Sequence, residues 1–97
     1  MTDHIVAEGQ TIISHDVGLH ARPAVKLTQL AASFSCEVKL RVGDGGDWVD
    51  AKSIVKVMKL KARTSETLFF EARGEDAQQA VTALVHLVER KFDEQPV

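Results

Sequence analysis

His20 follows the pair Gly18-Leu19 and precedes Arg22 by two residues, in a run Val17-Gly18-Leu19-His20-Ala21-Arg22-Pro23-Ala24 that passes from turn-forming to helix-forming residues. A neutral imidazole nitrogen is a competent nucleophile near pH 7, and the N–P bond it forms with phosphorus is labile enough to hand the phosphoryl group on. The neighbours suit that chemistry. Gly18 admits a positive φ before the helix, Ala21 keeps the approach open, and Pro23 falls in the first turn, where a missing N–H costs least. The unpaired N–H groups and positive dipole end of the helix then face the imidazole, and Arg22 adds a permanently charged, bidentate donor for phosphate oxygens. No metal, no cofactor and no separate general base is required.

Other residues of possible function are less specific. Ser53 precedes Ile54, Val57 and Met58, whose spacing marks a short helix with Ser53 as its N-cap, a role worth about 1 kcal/mol. Val55 lies off that stripe, with Lys52, Lys56 and Lys59 around it and Lys26 expected nearby on the first helix. An apolar centre formed by Ile54, Val55 and Met58 with a basic rim suits a transient acidic partner; the alternative is an ordinary solvated lysine face. His4, His15 and His86 read as solvated, and none has metal-ligand spacing with a carboxylate or a second histidine. The single cysteine, Cys36, rules out an internal disulfide or a cysteine zinc cluster and reads as a small core hydrophobe.

The elements that must position these groups follow from hydrophobic periodicity. Glu8 to Ser14 reads as a strand, and a helix from Ala21 puts Leu27, Leu30, Ala31 and Phe34 on one stripe. Cys36, Val38, Leu40 and Val42 alternate with charged residues in a half-buried second strand. Asp44-Gly45-Gly46-Asp47 makes a hairpin turn into a short return strand at Trp48-Val49. After the Ser53 helix, Thr67 to Ala72 forms a fourth strand. A last helix then carries Ala77, Ala80, Val81, Leu84, Val85, Val88 and Phe92 as one stripe, with Glu75 and Asp76 at its positive end and Arg90 and Lys91 at its negative end. The order is βαββαβα, an α+β fold with one antiparallel sheet and the helices on one face.

The 97 residues, 44% hydrophobic and 27% charged, fit one domain spanning 1–97, with its core at about 8–92 and a disordered tail at 93–97. No run approaches the roughly 18 apolar residues that cross a bilayer, and Met1-Thr2-Asp3-His4 lacks the features of a secretory signal, so the expected location is the cytoplasm. A net charge of −2 gives no global attraction to nucleic acid or anionic lipid. Nucleic acid is not an expected partner, because the basic patch is short and most of the aromatics read as core.

From about Thr11 to Val88 the chain resembles HPr, the histidine-containing phosphocarrier family of the bacterial phosphoenolpyruvate-dependent phosphotransferase system. Gly18-Leu19-His20-Ala21-Arg22-Pro23-Ala24 looks like its active-site motif, Ala51-Lys52-Ser53-Ile54 like its regulatory-serine motif, and Gly74-Glu75-Asp76 followed by Ala80-Val81 like the entry to its last helix. The resemblance implies an open-faced β-sandwich of four antiparallel strands with three helices on one side. It further implies that His20 accepts a phosphoryl group on Nδ1 from phosphorylated enzyme I and donates it to an enzyme IIA-type protein. The branch served, whether sugar uptake, nitrogen-linked regulation or a dihydroxyacetone kinase, stays open. Ser53 would be the target of a serine kinase and phosphorylase in some relatives, and the alternative function is a regulatory binding module controlled at Ser53. A carrier that presents the same surface to several partners is expected to be a monomer. One departure stands out: relatives usually place a glycine after the leucine that closes the second helix, where this chain reads Leu60-Lys61-Ala62. Lysine resists the left-handed conformation of a glycine cap, so this helix is expected to run longer or end differently.

Overall fold

A computed structural model describes residues 5–14 and 21–93. The chain runs β1 (Val6–Ile12), α1 (Ala21–Ala32), β2 (Glu37–Val42), β3 (Val49–Asp50), α2 (Ile54–Lys59), β4 (Thr67–Arg73) and α3 (Ala77–Glu89), followed by a short 3-10 turn at Lys91–Asp93. The strands form one antiparallel sheet in the order β1-β4-β2-β3. This is the open-faced α+β architecture expected from the βαββαβα order. Of the tail expected to be disordered from 93 on, Asp93 is instead held in the 3-10 turn, its carboxylate accepting Arg90 Nε at 2.9 Å, while 94–97, like the residues just before α1, lie outside the described residues.

Alternation decides which face of the sheet is covered. Ala7 on β1, Val38 and Leu40 on β2, and Leu68, Phe70 and Ala72 on β4 are buried beneath the helices. From above, Ala24, Leu27 and Ala31 of α1, Val57 of α2, and Ala77, Ala80, Val81, Leu84, Leu87 and Val88 of α3 meet them in one core. The α3 helix comes close because β1 carries Gly9 there: a Cβ at that position would stand 2.6 Å from Val81 Cγ1. At the hairpin, Gly43 takes φ +68°, which a side chain at that position would oppose.

Three features differ from expectation. The first strand is shifted two residues toward the N-terminus, and Ile13 lies beyond its end, fully buried and bonded through its N–H to Glu66 O and its carbonyl to Ser65 N. Phe92 does not extend the α3 stripe. The helix ends at Glu89, and Lys91, Phe92 and Asp93 follow in the left-handed region with φ 55°, 59° and 58°, a reversal that drives the Phe92 ring into the core. Asp76 stands at the start of α3 but makes no side-chain bond to that helix. Its carboxylate accepts Ser35 N at 3.0 Å, Ser35 Oγ at 3.2 Å and Cys36 N at 3.0 Å, so it fixes the turn between α1 and β2 to the start of α3.

Burial works against the charge on Asp76, yet the hydrogen bonds from Cys36 and Ser35 prevail and hold its carboxyl below the ordinary aspartate value. Burial and the Asp76 carboxylate together push the Cys36 thiol up to about 11. The cysteine is thus a protonated core residue, as its place in the apolar alternation predicts.

Candidate functional site

The chemistry-bearing run divides at the start of α1. His20 and Gly18 lie outside the described residues, and His20 is joined directly to Ala21, the first residue of the helix. Pro23 is buried in the first turn and Ala24 and Leu27 are fully buried, which seats this end of α1 on the core. Arg22 is exposed on the opposite side. No acidic residue occupies the first turn. The N–H groups of that turn therefore keep their attraction for an anion, since no carboxylate within the turn offsets the dipole.

The second helix opens differently. Ser53 has extended backbone, φ −102° and ψ 111°, and its hydroxyl oxygen accepts the Lys56 N–H at 3.3 Å. Its own N–H donates to Asp50 O at 3.1 Å, while the Asp50 carboxylate accepts Lys52 N at 2.9 Å. Ser53 is the helix cap that its position before an apolar run predicts. The hydroxyl is half-buried beside Lys56, whose side chain is exposed.

The basic rim read from the sequence separates into two pairs. Lys56 and Lys59 are exposed on α2, flanking Val55, which is 60% exposed. Lys26 and Lys52 are half-buried and turn inward: Lys26 Nζ donates to Phe92 O at 2.8 Å, and Lys52 Nζ donates to Phe34 O at 2.7 Å. Each carries charge to the face while its ammonium is anchored to a carbonyl of the fold. Met58, which shares the helical stripe of Val57 in the sequence, is 38% exposed and joins Val55 on the surface, in the apolar centre where the sequence also places it. Consecutive helix positions point about 100° apart, so with Val57 turned into the core Met58 faces outward.

On the α1 half of this face the sequence points to Arg22 and Lys26 but not to Val25. Val25 is exposed, and with Thr28, Gln29 and Ala32 it forms one wall of a cleft of about 310 Å³ whose other wall is Lys52 and Ile54. Its signal was available, because Val25 lies off the α1 stripe as Val55 lies off that of α2. Lys61 also departs from expectation. It adopts the left-handed conformation, φ 52°, directly after the Leu60 cap, and its N–H donates to Met58 O at 3.2 Å. The helix ends as a glycine-terminated one would, and lysine carries the strain because Ala62, next in the chain, is buried and fixes the exit direction. Among the described residues no helix is long and apolar enough to cross a membrane.

Comparison with known proteins bears on the same residues. The family model described as "PTS HPr component phosphorylation site" matches residues 7–90. The chain is 45% identical over 84 residues to Phosphocarrier protein HPr of Cupriavidus necator, covering 87% of this chain and 92% of that one. It is 36% identical over 86 residues to Phosphocarrier protein NPr of Escherichia coli, covering 88% and 94%. Among solved structures, HPr of Thermoanaerobacter tengcongensis superposes with a TM-score of 0.84 at 36% identity, over 93% of this chain and 99% of that chain.

Proposed function

Because the chain belongs to the HPr family of phosphotransferase-system phosphocarriers, we propose that it takes a phosphoryl group onto His20 Nδ1 from phosphorylated enzyme I and passes it to an enzyme IIA-type partner. The Nδ1 lone pair attacks phosphorus, the donor's bond to phosphorus breaks, and the three equatorial oxygens carry the spread charge through the transition state. Arg22 and the N–H groups at the head of α1 stabilise that charge, and the same groups release it when a second nucleophile attacks from the opposite side. The observation that carries the reading is the start of α1, where an exposed arginine and a first turn free of acids adjoin His20.

The face made by Val25, Val55, Met58, Lys56 and Lys59 is the docking surface, its apolar centre giving modest affinity and its lysines steering acidic partners. Relatives bearing the names HPr and NPr both match over most of the chain, and the proposal leaves the branch, sugar uptake or a related regulatory one, open. The protein acts as a monomer in the cytoplasm. Incubation with enzyme I and phosphoenolpyruvate should give an acid-labile, base-stable phosphohistidine, and His20→Ala should abolish it. Label that survives the substitution would sink the proposal.

A second reading makes Ser53 a point of control. Its hydroxyl sits at the head of α2, next to the exposed residues of the docking face, and a phosphoryl group there adds about two negative charges to a basic surface. Treatment with a serine kinase of this pathway should then slow uptake from enzyme I. Unchanged uptake by the phosphoserine form would remove this reading and leave the first intact.

A further inference from the structure

The face of the sheet turned away from the helices carries a cationic group whose hydrogen bonding is incomplete. Alternation points Glu8 and Gln10 of β1, Arg41 of β2 and Phe69 of β4 to this side, and the register sets Gln10 opposite Phe69 and Phe69 opposite Arg41. Trp48, just before β3, closes the row. The Arg41 guanidinium lies between two rings, 4.8 Å from the centroid of Phe69 and 4.9 Å from that of Trp48. Nη1 donates to Asp44 O at 2.7 Å, but Nε is buried with no acceptor. Among the described residues Arg41 has no carboxylate partner. A buried N–H without an acceptor is costly, and a native fold that retains one is short of a partner. Beside it opens a cavity of about 340 Å³, walled by Glu8, Gln10, Arg41, Trp48 and Phe69.

We propose that this cleft binds a small monocarboxylate with an apolar or aromatic body. With Nη1 committed to Asp44, the remaining edge of the guanidinium is the Nε–Nη2 side, which meets two carboxylate oxygens as a bidentate pair. The rings of Trp48 and Phe69 receive the apolar body. Glu8 at the rim sets the charge, because its repulsion falls about twice as heavily on a dianionic phosphate as on a monoanion. The two rings cover Nε, so the ligand enters by displacing Trp48, which is already 39% exposed. The α1 and α2 surface lies on the other side of the sheet, and phosphoryl exchange continues with the cleft filled.

Benzoate, benzamide and inorganic phosphate titrated into the full chain test this directly. The readouts are the Arg41 Nε–H resonance and the emission of Trp48, the sole tryptophan. Benzoate should move both along one saturable curve, with benzamide roughly tenfold weaker for loss of the charge-assisted pair, and phosphate weaker than benzoate because Glu8 repels it and it has no apolar body for the rings. Arg41→Lys should remove the benzoate response while leaving phosphoryl uptake unchanged. Glu8→Gln, an exposed substitution that leaves the stack intact, should tighten benzoate several-fold and admit phosphate. Equal responses to benzoate and benzamide would overturn the proposal, as would a benzoate curve that neither variant moves.

Discussion

The heads of α1 and α2 answer the same physical demand in opposite ways. Both leave N–H groups without helical partners. At α2 a residue of the chain meets the demand locally, with the Ser53 hydroxyl taking the Lys56 N–H. At α1 the first turn has no acid and an exposed arginine, so nothing within that turn offsets its positive end. The head of α3 is a third case, since Asp76 occupies the capping position but spends its carboxylate on Ser35 and Cys36. A helix start therefore becomes a candidate site when its first turn carries no acid and a cation stands beside it.

Reversing the charge at the head of α1 should have the largest effect. Arg22→Glu removes the charge-assisted bonds to phosphate and adds repulsion, and a loss of about 1.5–3 kcal/mol corresponds to roughly 10–150-fold in kcat/KM for phosphoryl uptake. Steady-state transfer from enzyme I checks this, with thermal unfolding expected to move little because Arg22 is exposed. If uptake stays within twofold, α1 and α2 do not differ in the way described.

Asp76→Ala should be the most destabilising change among the caps, because it leaves three donors without their acceptor. The pH dependence identifies the cause. The folded-state pKa of Asp76 lies below its ordinary value, so its stabilisation is complete above the unfolded pKa of about 3.9 and is lost as pH falls through the lower folded value. The wild-type Tm should decline below about pH 4, and Asp76→Asn should flatten that decline. The Asp93 carboxyl, held low by Arg90, contributes with the same sign, so a residual slope is expected.

Ser53→Ala should cost about 1 kcal/mol, or roughly 4–8 °C in Tm, with little change in phosphoryl uptake. Ser53→Asp should retain the cap and its stability yet lower uptake, since only the docking face gains a charge. A fall in uptake in the alanine variant as large as in the aspartate variant would show that the α2 head matters through its fold and not through its charge.

How much of this was legible in the sequence depended on whether the governing interaction was local. Ser53 was, because a cap acts within three residues of itself. The buried alternation of Val38 and Leu40 was, because period two permits one inward face. Asp76 was not, since its partners are some forty residues away in sequence and a helix-start acid looks the same whichever partner it serves. Lys26 and Lys52 were read as surface charges for the same reason: the carbonyls they reach belong to Phe92 and Phe34. Phe92 was placed in the core correctly, and its route there, through three left-handed residues, has no signature in residues that are neither glycine nor asparagine.

The smallest effect concerns the other end of α2, where Lys61 holds a conformation its side chain disfavours. Left-handed backbone costs an L-residue about 1–2 kcal/mol, which Lys61→Gly would recover. Glycine in turn enlarges the unfolded ensemble, at a cost of about 0.4–1 kcal/mol. The balance should favour the variant by roughly 0.5 kcal/mol, visible as a Tm rise of about 2–4 °C. The same substitution removes an exposed positive charge near Lys59, so association with an acidic partner should slow slightly at low salt and converge with the wild type at high salt. A destabilised variant would mean that the lysine side chain gives more to the fold than its backbone strain removes. A stabilised variant with unaltered partner kinetics would confine the role of Lys61 to closing the helix.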